Sequence, residues 1–501
     1  MRNRLHPRSS GARIGVLVLL VLLSAGLSAS LGGCAGRGAQ TSQSASSSST
    51  SASTSTSASS WTGTPREVAF LDTLAERTFG FFWELSDPET GLTPDRAPTE
   101  SFISVAAVGF ALTAYPIGVE RGYVARAEAA DRVRNTLQFF WNAPQGDAPS
   151  GVTGHHGFFY HFLHRDTGRR FEEVELSTID TALFLGGALF CQSYFDRPEE
   201  RDIRALADSL YARVDWNWAQ PRPPGVALGW SPEGGFLPWD WGGYNEAMLL
   251  YVLALGSPTH PVEPEAWTAW TSRYHWDTYY GEPHVAFAPL FGHQYSHIWI
   301  DFRGIQDAYL RDKGIDYFEN SRRATLSQQR YAIDNPAQYV GYGPLCWGLT
   351  ACDGPIEGTY EIDGRERQFH TYLARGAAAY GVQDDGTICP SAAGGSIAFA
   401  PEIVVPTLIS MRETYGRRLF GEYGFLDAFN PTLKLPIDTQ HGQVDPMLGW
   451  FDTDYLGIDQ GPILAMLQNL QTELVWKEMS ENPHLVRGLR RAGFSGGWLD
   501  R

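Results

Sequence analysis

The strongest constraint in the chain is an alternation between two kinds of helix-forming segment. In one kind, apolar residues recur at helical spacing with charges opposite; in the other, the segment is apolar nearly all round. Residues 67–85 are of the first kind, with Val68, Leu71, Leu74, Phe79 and Phe82 as the stripe, and residues 103–119 are of the second. The pair recurs as 127–141 and 179–195, then as 203–214 and 247–255, and further helices are expected at 265–274, 297–311, 317–333, 369–380, 401–415, 458–476 and 483–491. A helix apolar on every face must sit inside a shell of helices that have only one face to bury. No strand–helix alternation of Rossmann type and no repeat of fixed period competes with this pattern. The expected fold class is all-α, an (α/α)6 barrel with long loops over one rim. Those loops are 144–157, 221–243, 281–292 and 341–364, which are long for plain connectors.

If each buried helix pairs with an antiparallel amphipathic one, the buried helices run the same way and their N-termini gather at one end. The starts of the apolar segments carry Asp180, Glu246, Asp301, Glu402 and Asp459. One such acid can be a helix-dipole partner worth about 0.3–1 kcal/mol. Five at one rim would raise one another's proton affinity and provide an acid and a base together. Glycosidic-bond cleavage needs that equipment: a protonated carboxyl at the leaving oxygen and a carboxylate that activates water or attacks the sugar. Aromatic residues make up 13% of the chain, more flat surface than a core alone needs. Trp230, Trp239, Trp241 and Tyr244 crowd the loop before Glu246, and Trp450 and Tyr455 precede Asp459, placed either to stack on sugar rings or to pack the loops.

The formal charge of −17 argues against nucleic acid as a partner, because an acidic body repels phosphate backbones. No Walker-type loop or dinucleotide fingerprint is present, so no cofactor is expected and a neutral substrate fits better. His293 and His297 are four apart but lack the zincin glutamate, which leaves sugar hydrogen bonding or burial as their expected roles rather than metal ligation. Arg96 and Arg303 follow Asp95 and two residues after Asp301 respectively, as hydroxyl ligands or loop-fixing ion pairs.

At the N-terminus, Arg2, Arg4, Arg8 and Arg13 precede an apolar run over 14–27, the form of a secretory signal. The run is short for a bilayer span. It leads to Leu31-Gly32-Gly33-Cys34, which resembles the bacterial lipobox, whose cysteine is lipidated; an ordinary secretory signal with Cys34 left free is the alternative. Of residues 41–60, 16 of 20 are Ser or Thr and none is charged, the composition of a flexible tether. The expected domains are a signal peptide at 1–33, a lipidated Cys34 and tether at 34–63, and a catalytic domain at 64–501. By resemblance to lipoproteins of bacteria with two membranes, Ala35 after the cysteine implies an anchor at the outer membrane, outside the cytoplasm. Cys191, Cys346, Cys352 and Cys389 allow three complete pairings, of which Cys346 with Cys352 is closest in sequence.

Several ordered runs carry a resemblance: Thr93-Pro94-Asp95-Arg96, then 154–160, 177–183, 243–249, 292–297, 317–322 and 455–462. Together they resemble the bacterial glucoamylase-like family, glycoside hydrolase family 144, which includes endo-β-1,2-glucanases, and the likeness runs from about Glu67 to Trp498. It implies the (α/α)6 barrel, chemistry without a metal, and inverting endo-hydrolysis of β-1,2-glucan. By motif position the acid role falls to Glu246 and the base side to Asp459, with the two open to exchange, and Asp180 is a third site carboxylate. Substrate contacts are expected from Arg96, His156, Trp241, Tyr244, His293, His297, Asp301, Arg303, Trp450 and Gln460. The alternatives are the same fold acting on another glucan linkage, and a glycan-binding surface lipoprotein that does no chemistry.

Overall fold

The computed structural model of the protein describes residues 61–501, so the signal, Cys34 and the tether through Ser60 lie outside the described residues. Thr64 caps the first helix, α1 (Pro65–Leu85). Its hydroxyl accepts from the Glu67 N–H at 3.3 Å, and Glu67 Oε2 accepts from the Thr64 N–H at 2.7 Å. This capping box, with Pro65 preset at the first helical position, starts the helix ahead of its apolar stripe.

The chain then alternates as its hydrophobic pattern predicts. Helix α2 (Val105–Glu120) is buried on nearly every side and α3 (Arg126–Asn142) on one; α4 (Thr178–Tyr194) is buried and α5 (Arg201–Arg213) is amphipathic. Helix α6 (Met248–Gly256) is wholly buried, while α7 (Glu265–Thr271) lies superficially. Further on, α8 (Tyr295–Trp299) is inside, α9 (Ala308–Lys313) and α10 (Tyr317–Asp334) are outside, α11 (Pro390–Gly394) is inside, and α12 (Pro401–Tyr415) is outside. Last come the buried α13 (Gly457–Thr472), then α14 (Leu474–Ser480) and α15 (Pro483–Arg491). Helix α2 packs on α4 and α13, α4 on α6, α6 on α8, and α11 on α13. The α2–α4 approach requires glycine: a Cβ on Gly109 would lie 2.4 Å from the Leu183 carbonyl oxygen, and one on Gly187 would lie 2.1 Å from that of Gly109.

Several expectations are corrected. Helices dominate as expected, but among the described residues the loops also carry 22 short strands, none longer than five residues. Five of them form an antiparallel sheet, Gly154–His155, Phe158–Tyr160, Leu176–Ser177, Gly229–Ser231 and Gly235–Phe236, and Ser177 leads straight into α4. The helix expected at 369–380 is instead strand and turn. Arg365–Phe369 pairs with Gly358–Ile362 across Asp363-Gly364, whose φ values of 51° and 72° suit a two-residue hairpin turn; Tyr372–Ala374 pairs with Ala351–Asp353, and Gly376–Ala378 with Gly381–Gln383. Glycine and strand-favouring aromatics override the helical spacing there.

The single helices expected at 297–311 and 458–476 are each broken. The first stops at Ile300, where the Asp301 carboxylate folds back on the Arg303 N–H at 3.0 Å, and restarts behind the Asp307 cap. The second turns at Glu473 (φ 60°), and Asn469 Oδ1 accepts from the Val475 and Trp476 N–H groups. The disulfide joins Cys352 to Cys389, and Cys346 and Cys191 are free. Cys346 closes a local bridge with Gly343, whereas Cys389 donates its N–H to Gly348 and so is drawn to the strand bearing Cys352.

Gly187→Ala is expected to lower stability by about 1–3 kcal/mol, read as a lower denaturant midpoint. An unchanged midpoint would show that α2 and α4 can separate freely.

Candidate active site

Three buried carboxyls stand where apolar helices begin. Asp180 lies in the first turn of α4, where the Ser177 cap both accepts from its N–H at 3.2 Å and donates its hydroxyl to the carboxylate. Glu246 precedes α6; Asn245 Oδ1 accepts from the Ala247 N–H at 3.0 Å, and the Glu246 carbonyl accepts from the Ser296 hydroxyl at 3.0 Å. Asp459 lies in the first turn of α13, whose Gly457 N–H donates to the Asp95 carbonyl at 2.8 Å. Only 3% of Asp180 and 5% of Glu246 and Asp459 is exposed. The Tyr295 phenol, buried at the start of α8, is near enough to all three to feel their charges.

Burial disfavours the charged form of a carboxyl. It pushes Glu246 up to about 7, with the Asp180 charge adding to the rise. It pushes Asp459 to about 6, with the neighbouring Asp427 and Ser391 opposing the rise. Asp180 is raised too, by burial, and His161 opposes the rise from 3.6 Å. Burial would strip the His161 proton, but Asp180 and Glu175 hold the imidazole at about 9, so it remains a cation.

Beside Asp459 lies a second acidic group that the sequence reading missed: Asp353, Asp427 and Asp452, whose carboxylate oxygens all come within 4.8 Å of one another. Asp95 and Asp454 border it. Among the described residues this is the grouping able to gather a cation. Its charge is already met in two ways. Arg96 binds Asp353, lies 3.1 Å from Asp95 and 3.8 Å from Asp454, and burial pushes Asp452 up to about 7 and Asp427 well above the carboxylate range. These three acids sit in loops and a short strand end, away from helix starts, so hydrophobic periodicity gave no signal for them; the nearest cue was the Asp452-Thr453-Asp454 run ahead of Asp459.

The other predicted residues divide. Arg96 joins the acids, and Trp241 braces the rim by donating Nε1–H to Thr178 at 3.0 Å. His156 stacks on Trp218, with centroids 4.5 Å apart, on an exposed loop. Tyr244, His293 and His297 are core groups: Tyr244 stacks on Tyr317, His293 bonds the Phe287 carbonyl at 3.1 Å, and His297 bonds Ser321 at 3.1 Å and is pushed down to about 3 by burial. Trp450 is fully buried and donates to the His441 carbonyl at 2.7 Å, and Gln460 donates to the Phe425 carbonyl at 2.9 Å.

Asp301 and Glu402 are corrections to the five-acid rim, and Arg303 to the expected substrate contacts. Asp301 follows the C-terminal end of α8, and Arg303 binds Glu473 at 2.8 Å, just past the end of α13. Sixteen helical residues put that end about 24 Å from the start of α13. Glu402 is half-exposed on the outer α12 and paired with Arg322 at 2.6 Å.

The family model described as "Putative glucoamylase" matches residues 238–483. A "putative glucoamylase" structure from Bacteroides uniformis is 30% identical, the match covering 86% of this chain and 98% of that one at a TM-score of 0.72. The chain therefore belongs to the glucoamylase-like family. Similar to it also is the endo-β-1,2-glucanase of Chitinophaga pinensis, solved with sophorotriose and glucose, at 26% identity over 86% of this chain and 99% of that one, TM-score 0.71. The exo β-1,2-glucooligosaccharide sophorohydrolase of Parabacteroides distasonis is 28% identical over 457 residues, 84% of this chain, and the chain spans 57% of that relative's length. The endo-β-1,2-glucanase of Talaromyces funiculosus, 11% identical with a TM-score of 0.57, shares the fold.

A carboxyl whose proton affinity rises on folding loses stability as pH climbs from its unfolded to its folded value, here from 4.5 to about 7. Glu246→Gln is therefore expected to be more stable than the parent at pH 8, by on the order of 2 kcal/mol, and nearly equal to it at pH 4. Equal stabilities at both pH values would show that the Glu246 carboxylate is well solvated.

Proposed function

We propose that the protein is an inverting glycoside hydrolase that cuts β-1,2-glucan within the chain, with Glu246 as general acid and Asp459 as the base that activates water. The observation that carries the assignment is the difference between the two buried carboxyls. Between pH 6 and 7 Glu246, at about 7, still holds its proton, while Asp459, at about 6, is ionised. That ordering supports Glu246 as the acid and Asp459 as the base. The six buried helices form the inner ring of an (α/α)6 barrel whose N-terminal end presents both groups.

In the reaction, Glu246 gives its proton to the glycosidic oxygen as the bond from C1 breaks. Asp459 takes a proton from a water that attacks C1 from the opposite face, so the new C–O bond forms with inversion. The step ends with Glu246 ionised and Asp459 protonated, and exchange with solvent restores both. Asp180 raises the proton affinity of Glu246 and so helps to keep the acid loaded. Substrate choice is supported by the Chitinophaga endo-β-1,2-glucanase and the Parabacteroides β-1,2-glucooligosaccharide sophorohydrolase. Endo action is supported by the full-length match to the Chitinophaga endo-glucanase, set against 57% coverage of the exo-acting relative. In the whole chain a lipidated Cys34 and the Ser/Thr tether would hold this body at the outer membrane.

The purified protein is expected to release short oligosaccharides from linear β-1,2-glucan, and Glu246→Gln to lower kcat by about 10²–10⁴-fold with the fold intact. Release from a different glucan alone would move the linkage. Binding without release from any glucan would favour a carbohydrate-binding role. The kcat/KM profile is expected to be bell-shaped, falling below about pH 6 as Asp459 takes a proton and above about pH 7 as Glu246 loses one. A flat profile across that range would contradict the pairing.

A further inference from the structure

The five-stranded sheet at the start of α4 is built inside out. Directly paired residues share a face of an antiparallel ladder, and one face here carries His155, Phe158, Tyr160, Leu176, Trp230 and Phe236. The other carries mainly small residues, Gly154, Ser177, Gly229, Ser231 and Gly235, together with Phe159. That second face meets the helices: Phe159 packs on Phe140 and Phe184, and Ser177 caps α4 beside Asp180. An antiparallel sheet ordinarily turns its apolar face to the core and its polar face to solvent. An aromatic outer face therefore calls for something to cover it.

Part of it is covered by the chain itself. Arg170 lies 4.8 Å above the Tyr160 ring and is gripped by Glu233 at 2.7 and 2.9 Å, and the buried Trp216 seals Phe158 from 5.2 Å. The rest is only half-buried: His155, Trp230 and Phe236, joined by Trp218 from the loop after α5. Trp218 lies 5.7 Å from Trp230, 4.6 Å from Phe236 and 5.3 Å from His155, so the four rings form one connected surface. Its edge is fixed by His156, which stacks on Trp218 at 4.5 Å. Asp215 holds that imidazole, its N–H donating to the His156 carbonyl at 3.0 Å and its carboxylate lying 3.3 Å from Nδ1.

We propose that the surface formed by Trp218, Trp230 and Phe236 is a platform for the glucan chain, on the opposite face of the sheet from the Asp180 helix. The proposal rests on the reading of the protein as a β-1,2-glucan hydrolase and extends it: a chain cut internally continues on both sides of the cut and needs surface beyond the reacting groups. Three observations favour a sugar polymer as the occupant. Rigid flat rings with a few polar groups at their edges suit a ligand that is itself apolar on one side and polar around its rim. Burial and the neighbouring His156 lower the proton affinity of His155, leaving an uncharged imidazole with one donor and one acceptor nitrogen for hydroxyl groups. The face also lies at the helix ends that bear the acids, because Trp230 pairs with Leu176, next to the Ser177 cap of α4.

The test measures binding in the whole protein carrying Glu246→Gln, with linear β-1,2-glucan and sophorotriose as probes. Adding Trp230→Ala is expected to weaken binding of the polymer roughly tenfold and binding of the trisaccharide far less, and Trp230→Phe to recover most of the loss. Hydroxyl-radical footprinting is expected to show Trp218, Trp230 and Phe236 shielded by the polymer and not by sophorotriose. A folded Trp230→Ala that loses nothing, or loses equally for both probes, would overturn the platform, as would rings oxidised as readily with polymer bound as without. A dimer of the parent that Trp230→Ala abolishes, with polymer binding unchanged, would assign the face to a second copy instead. A parent that cuts β-1,2-glucan but gives any of these results keeps the proposed function and loses the platform. A parent that leaves β-1,2-glucan uncut while another glucan shields the rings keeps the platform and loses the linkage, and binding of no glucan overturns both.

Discussion

The site depends on carboxyls buried without enough positive charge to match them. Arg96, His161 and Arg375 lie around this cluster, and they pair with Asp353, Asp95, Asp180, Glu175 and Asp385 rather than with Glu246 or Asp459. A carboxyl in that position either holds its proton or depends on a hydrogen bond to remain charged. Glu246 and Asp459 each keep one buried oxygen without a hydrogen-bond partner, and burial raises both, Glu246 to about 7 and Asp459 to about 6. In the proposed mechanism two like groups serve as acid and base through their surroundings alone.

The scaffold holds this arrangement by putting helix starts, rather than flexible loops, under the acids. Asp180 and Asp459 occupy first turns whose partly positive N-terminal ends tolerate a carboxylate, and Gly109 and Gly187 let α2 and α4 close up beneath them. The short strands tie the rim together. Leu176–Ser177 joins a five-stranded sheet directly to α4. Tyr455–Leu456 pairs with Arg96–Ala97 just before α13, and Arg96 there meets Asp95, Asp353 and Asp454.

Much of the fold was legible because burial leaves a periodic trace. Helices such as 401–415 and 483–491 follow the hydrophobic pattern to the residue. The same logic located Asp180, Glu246 and Asp459, which the structure brings around Tyr295. It misplaced Asp301 because an apolar run does not reveal that the helix has already ended at Trp299, which puts the following acid at the opposite end. It misplaced Glu402 because Pro401–Tyr415 reads as apolar although its polar side faces out. Asp353, Asp427 and Asp452 were invisible for a different reason: residues from separate loops meet only through tertiary pairing, which leaves no period in the chain. The disulfide followed the same rule, with spatial approach through Gly348 outweighing closeness in sequence.

The most direct measurement is the anomer first released from linear β-1,2-glucan, followed by NMR faster than mutarotation. An acid at Glu246 and a water-activating base at Asp459 predict that the α-anomer appears first, by one displacement at C1. First release of the β-anomer would mean two displacements through a covalent glycosyl-enzyme and would contradict the account of Asp459 as a base.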